Sequence, residues 1–148
     1  MIIKKIEWEQ VKRLPQQYPK EFASFTQHKK PHIWLGAFLK NGEEDLPQYN
    51  SFHLLGVGKI LFVSKYHART CSDFVIPTFR RMGVSTSLTL EREKIAIENG
   101  CTKIDYLADV SLEYVIPQGY IRKEPRGSGY RYEKDLTPYL KTGKNNVS

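Results

Sequence analysis

The sequence predicts a mixed α/β domain dominated by hairpin-connected strands, and three observations carry that expectation. Short apolar runs rich in β-branched and aromatic residues are set apart by proline, glycine and asparagine. Only residues 83 to 99 hold helical spacing over a long stretch. Strands and helices do not alternate along the chain, which counts against a doubly wound dinucleotide-binding sheet. With 148 residues, 40% hydrophobic and 26% charged, the composition is that of one ordinary folded domain, which buries ~68–70% of its unfolded surface.

Residues 1 to 8 alternate enough for a first strand, and 9 to 14 read as a short helix stopped by Pro15. A second short helix is expected over 20 to 27, after Pro19. Pro31 resets the chain, and 32 to 40 read as a strand rich in Ile33, Trp34, Leu35 and Phe38. Residues 41 to 50 contain Asn41-Gly42, three consecutive acids and Pro47, so they form a loop. Strands follow over 52 to 64 and 69 to 76, joined by a turn around 65 to 67. After the long helix come a strand over 103 to 107 and an irregular piece to Gln118, in which Pro117 interrupts any helix. A hairpin closes the fold, with arms 120 to 123 and 130 to 134 and Gly127-Ser128-Gly129 at its tip. The domain is expected to span 1–141, with a polar, disordered tail over 142–148.

The most informative stretch lies between the strand ending near Ile76 and the long helix. Val84, Leu88, Glu91 and Ile95 keep helical spacing, and Gly100 stops the helix. The first turn of such a helix has unpaired N–H groups and a partial positive charge, and so attracts an anion. Gly83 lets that anion approach the backbone. Arg80 and Arg81 add two permanent charges ahead of the turn, and Ser85, Thr86 and Ser87 add hydroxyl donors. A pyrophosphate suits this cradle.

Charge and cysteine usage bound the rest. The net charge of +7 is spread along the chain and favours anionic ligands and partners, either as a solvated basic surface or as a contact for nucleic acid or an acidic partner. No apolar run approaches ~18 residues, so no membrane partner is expected, and the charged first residues lack a signal-peptide core. A cytoplasmic protein is expected. Cys71 and Cys101 are read as reduced, buried thiols. His28, His32, His53 and His67 form no metal-ligand pattern, and no metal is expected; His67 opens the strand that leads to the cradle.

The pattern Val75-x-Pro77-x-Phe79-Arg80-x-x-Gly83-x-Ser85 resembles motif A of the GCN5-related N-acetyltransferases (GNAT), which bind acetyl-CoA through an Arg/Gln-x-x-Gly-x-Gly/Ala loop between a strand and a helix. Ser85 stands where that family has Gly or Ala. The order of elements from about residue 52 to 136 is similar as well. The resemblance implies an α/β (α+β) fold: a strongly twisted mixed, mainly antiparallel sheet flanked by helices. The strands before and after the cradle helix would be parallel neighbours that splay apart to admit the pantetheine arm. It also implies that Asp73, Phe74 and Val75 face pantetheine and the thioester, and that Arg80, Arg81, Met82, Gly83, Val84, Ser85 and Thr86 take the pyrophosphate.

Carried over in the same way, Tyr114 is the general acid, from a Tyr-x-x-x-Gly-Phe pattern matched by Tyr114, Gly119 and Tyr120 with Tyr114 one residue further upstream. Tyr106 and Tyr120 are its substitutes. The glutamate that one branch of the family uses as base corresponds to Arg69, a cation that cannot accept a proton. Asp73 is the nearest carboxylate on that strand and would act through water, with His67 another possibility. The implied function is an acyl-CoA-dependent N-acyltransferase, moving acetyl from acetyl-CoA to a primary amine by direct attack in a ternary complex. Two alternatives stand beside it: a binding module of the same fold for nucleic acid or protein, and acetylation of a nucleic-acid-linked amine such as charged tRNA. The acceptor itself is not specified by the sequence.

Overall fold

The computed structural model describes residues 1–12, 29–39, 54–125 and 127–140. The helix expected over 20 to 27, the loop over 41 to 50, Arg126 and the tail from 142 lie outside the described residues. In chain order the elements are β1 (Ile2–Ile6), α1 (Trp8–Val11), β2 (His32–Phe38), β3 (Leu54–Ser64) and β4 (His67–Val75). A 3₁₀ turn (Pro77–Phe79) leads to α2 (Val84–Glu98) and β5 (Lys103–Ala108). A second 3₁₀ helix (Glu113–Gln118) precedes β6 (Ile121–Lys123) and β7 (Tyr130–Asp135). Among these residues no helix is long and apolar enough to cross a membrane.

The strands make one seven-stranded sheet in the order β1-β2-β3-β4-β5-β7-β6. All neighbours are antiparallel except β4 and β5, which α2 joins as a crossover. Their pairing runs from His67 opposite Lys103 to Thr70 opposite Tyr106 and stops there, while β4 continues to Val75. Beyond Thr70 the two strands part, as the splayed sheet requires.

A bulge in β4 sets which side chains reach the gap. Val57 lies opposite Phe74 and Lys59 opposite Cys71, so Ser72 and Asp73 together face Gly58. One extra residue reverses the in-and-out alternation of a strand. Before the bulge Ala68 packs in a cluster with Ala96 of α2 and Ile104; after it Val75 packs beside Val84 and Leu88 of α2, and Asp73 turns toward the same helix. Phe74 points to the opposite face, into a core with Trp34, Phe38, Leu54 and Val57.

Helix α2 buries Val84, Leu88, Thr89, Arg92, Glu93 and Ala96 against the sheet. That face differs from the expected one, because Arg92 and Glu93 lie inside while Glu91 is half-buried. Both charges are tolerated there because each is paired: Arg92 with Asp73, and Glu93 with Lys134 at 2.9 Å and the Tyr120 hydroxyl at 2.9 Å. The stretch before Gly119 also departs from expectation, since Pro117 lies inside a 3₁₀ helix. A proline there denies an N–H to the carbonyl of Tyr114 three residues earlier. That carbonyl instead accepts from Gln118 Nε2 at 2.9 Å.

Candidate active site

The chain leaves β4 through the Pro77–Phe79 turn, and Arg80 Nε donates to the Val75 carbonyl at 2.9 Å, which fixes the loop to the end of the strand. Arg81 at φ 66° and Gly83 at φ 83° then bend the backbone into α2. Arg81 holds a left-handed conformation uncommon for a residue with a Cβ, and glycine removes that penalty at the tighter point. Gly83 caps the helix with no side-chain hydrogen bond, and the Ser87 N–H makes the first helical bond, to the Gly83 carbonyl at 3.0 Å. The N–H groups of Val84, Ser85 and Thr86 have no partner among the described residues.

These donors open on a cavity of about 480 Å³ walled by Asp73, Phe74, Val75, Phe79, Arg80, Arg81, Gly83, Val84, Ser85, Thr86, Leu112 and Tyr114. Of the residues expected to contact acetyl-CoA only Met82, which is 61% exposed, is missing from the wall. Orphan N–H groups, the helix dipole and two guanidinium side chains fit a diphosphate, and the apolar β4 arm suits an aliphatic chain running toward the gap.

At the deep end of the cavity lies a polar network. Arg92 is fully buried, and its Nη2 donates to Asp73 Oδ2 at 2.7 Å while Nη1 donates to Asp73 Oδ1. Nη2 also donates to the Tyr106 hydroxyl at 3.1 Å. Tyr106 shares a hydrogen bond with Thr89, whose hydroxyl donates to the Ser85 carbonyl at 2.9 Å. Although the Tyr114 residue is 37% exposed, its hydroxyl end sits among Tyr106, Asp73 and Arg92, and burial first, then Tyr106 and Asp73, raise its pKa above the ordinary phenol value. Gly58, opposite the bulge, makes room for the pair, because a Cβ there would run into the Arg92 guanidinium.

Comparison with known proteins meets this geometry. No protein-family model matches the sequence, and no curated protein is similar to it in sequence. Solved structures do match. PaiA N-acetyltransferase from Thermoplasma acidophilum, in complex with coenzyme A, superposes with a TM-score of 0.67 at 16% identity over 90% of this chain and 98% of its own. An aminoglycoside 6'-N-acetyltransferase complexed with coenzyme A gives 0.66 at 13% over 93% and 98%. The GNAT domain of PAT from S. lividans gives 0.65 at 16% over 90% and 89%. The chain has the GNAT fold.

Within that fold the expected residues divide. Asp73, Phe74, Val75, the cradle and Tyr114 converge on one cavity. Tyr106 is close to them but buried and fully engaged, and Tyr120 is fixed by its bond to Glu93. His67 lies outside this cavity, on the sheet face turned away from α2, where its Nε2 is 2.8 Å from Asp105 Oδ2. Arg69 joins it there, with Nε and Nη2 donating to Asp105 at 2.9 and 3.1 Å. Sequence reading missed Thr89, Arg92 and Asp105. For Arg92 a signal was present: it stands four residues after Leu88 and four before Ala96, on the stripe that α2 buries.

Proposed function

We propose that the protein is an acyl-CoA-dependent N-acyltransferase that moves acetyl from acetyl-CoA to a primary amine by direct attack in a ternary complex. The observation that carries this reading is the meeting, in one cavity, of the unpaired N–H groups that open α2 and the Tyr114 hydroxyl beside the β4–β5 gap. The coenzyme A bound by PaiA and by the aminoglycoside enzyme supports the same use of the cradle. Acetyl-CoA supplies a thioester; the amine nitrogen forms a bond to its carbonyl carbon, the C–S bond breaks, the amine's proton leaves, and the departing sulfur takes a proton.

The chain's own residues do three things in this reading. Arg80, Arg81 and the N–H groups of Val84, Ser85 and Thr86 bind the diphosphate. The backbone of Asp73, Phe74 and Val75, on the arm of β4 that β5 has left, orients pantetheine and the thioester. Tyr114 holds the proton given to sulfur. Asp73 is a positioning residue: Arg92 engages both of its oxygens, so the amine's proton passes to water.

Tyr114→Phe tests the acid. It keeps the ring and removes the proton, so coenzyme A affinity is retained while kcat in a thiol-release assay falls roughly 10- to 100-fold. Because its environment raises the pKa of Tyr114, the hydroxyl stays protonated where a free tyrosine, near pKa 10, loses its proton. The expected kcat profile of the wild type therefore shows no alkaline fall below about pH 10. Wild-type turnover by Tyr114→Phe would return the role to water.

A further inference from the structure

The sheet face turned away from α2 carries a second cavity, of about 400 Å³, whose wall includes His67, Arg69, Lys103, Leu107, Asp109 and Arg131. Two carboxylates set its cations in place. Asp105, fully buried beneath the wall, accepts from Arg69 Nε and Nη2 and bonds His67 Nε2. Glu133 accepts from Arg131 Nη2 at 3.0 Å and lies 3.9 Å from Lys103 Nζ. A guanidinium has five N–H donors, so Arg69 and Arg131 each have donors left beyond these contacts. The cations are therefore oriented before any ligand arrives, which removes part of the ordering cost of binding. Three cations with spare donors, one counter-charge (Asp105) fully buried beneath them and the other (Glu133) half-buried, form a receptor for a carboxylate or phosphate group.

The position of this cavity says whose anionic group it takes. β4 and β5 pair only as far as Thr70 and Tyr106. Past that point, Asp73 to Val75 on β4 line the first cavity, on the α2 face, and Leu107 to Asp109 line the second, on the other face. The two cavities thus flank the gap from opposite sides of the sheet. With the first occupied by acetyl-CoA, an amine reaches the gap from the second. We propose that the second cavity holds the anionic end of the acceptor, which is a small primary amine that also carries a carboxylate or a phosphate. Asp109, exposed at the rim and without a partner among the described residues, suits the ammonium end of the same molecule. The proposal rests on the acyltransferase reading for the reaction and on the second cavity alone for the anion.

The test compares matched amines in a thiol-release assay with acetyl-CoA: β-alanine against propylamine for the carboxylate, and O-phosphoethanolamine against ethanolamine for the phosphate. The wild type is expected to favour one anionic member by at least about 10-fold in kcat/KM, the scale of one charge-assisted contact. Lys103→Gln and Arg131→Gln should each shrink that ratio by a similar factor, while Lys94→Gln, which removes an exposed charge on α2, leaves the ratio unchanged. Equal use of charged and neutral amines overturns the proposal, as does a ratio that falls equally in Lys94→Gln. Should no amine be acylated, inorganic phosphate added to the ¹⁵N-labelled, coenzyme-A-saturated chain separates the two readings. Shifts at the amides of Arg69, Lys103 and Leu107 keep the anion site while the acyltransferase reading falls; their absence overturns the site.

Discussion

Asp73→Ala is expected to destabilise the protein by about 3–5 kcal/mol, because removing one partner of a buried ion pair leaves the other uncompensated. The partner here is Arg92, fully buried in α2, which loses a two-point carboxylate contact. Its remaining acceptors are the Tyr106 hydroxyl and a long contact of 3.5 Å to the Lys59 carbonyl, neither of which carries charge. Chemical denaturation of the wild type and the variant measures the loss. The double variant Asp73→Ala/Arg92→Met removes both charges and fills the guanidinium's space with an adaptable apolar chain. It should recover most of the deficit, since replacing an entire buried pair with apolar groups is often neutral or stabilising. A single variant within about 1 kcal/mol of wild type would mean that water reaches Arg92 and that the pair contributes as little as an exposed one.

The cradle was legible in the sequence because everything that makes it is local. A glycine at the turn, two arginines before it and helical spacing after it lie within a few residues, and the unpaired N–H groups follow from the existence of a helix end. The parallel β4–β5 pair and its parting came through resemblance to a family, since no local pattern states which strands are neighbours. What could not be read was the polar interior. The Asp73–Arg92 pair spans 19 residues of sequence and the Arg69–Asp105 pair 36, and each depends on a register no single segment encodes. Asp105 alternates with Ile104 and Tyr106, which predicts a solvent-facing carboxylate, yet it is fully buried because His67 and Arg69 from the neighbouring strand cover it. The bulge at Ser72 and Asp73 is similarly silent, and without it Asp73 would point away from α2. Tyr114 stands one residue from its place in the family pattern and still lines the cavity, at the start of a 3₁₀ helix that no local spacing predicts.

Gly83→Glu is expected to abolish stabilisation by coenzyme A. A ligand present at 100 times its dissociation constant contributes ~2.7 kcal/mol to folding stability, and the whole of that gain disappears if the diphosphate can no longer reach the start of α2. The substitution acts through charge and position. A Cβ at residue 83 meets nothing within 4 Å, so the side chain has room, and it projects from the cap of the helix whose first N–H groups line the cavity. A carboxylate there satisfies the dipole that the diphosphate would otherwise engage and repels the diphosphate itself. The backbone adds a separate cost of about 1–2 kcal/mol, because φ at this residue is 83° and a side chain disfavours that region. Gly83→Asn controls for it: asparagine tolerates the left-handed conformation, and an amide carries no charge. Thermal unfolding with and without coenzyme A should therefore give a large upward shift in the wild type, a shift largely kept in Gly83→Asn, and none in Gly83→Glu. An equal shift in all three would place coenzyme A elsewhere and leave the open N–H groups of Val84, Ser85 and Thr86 without a ligand.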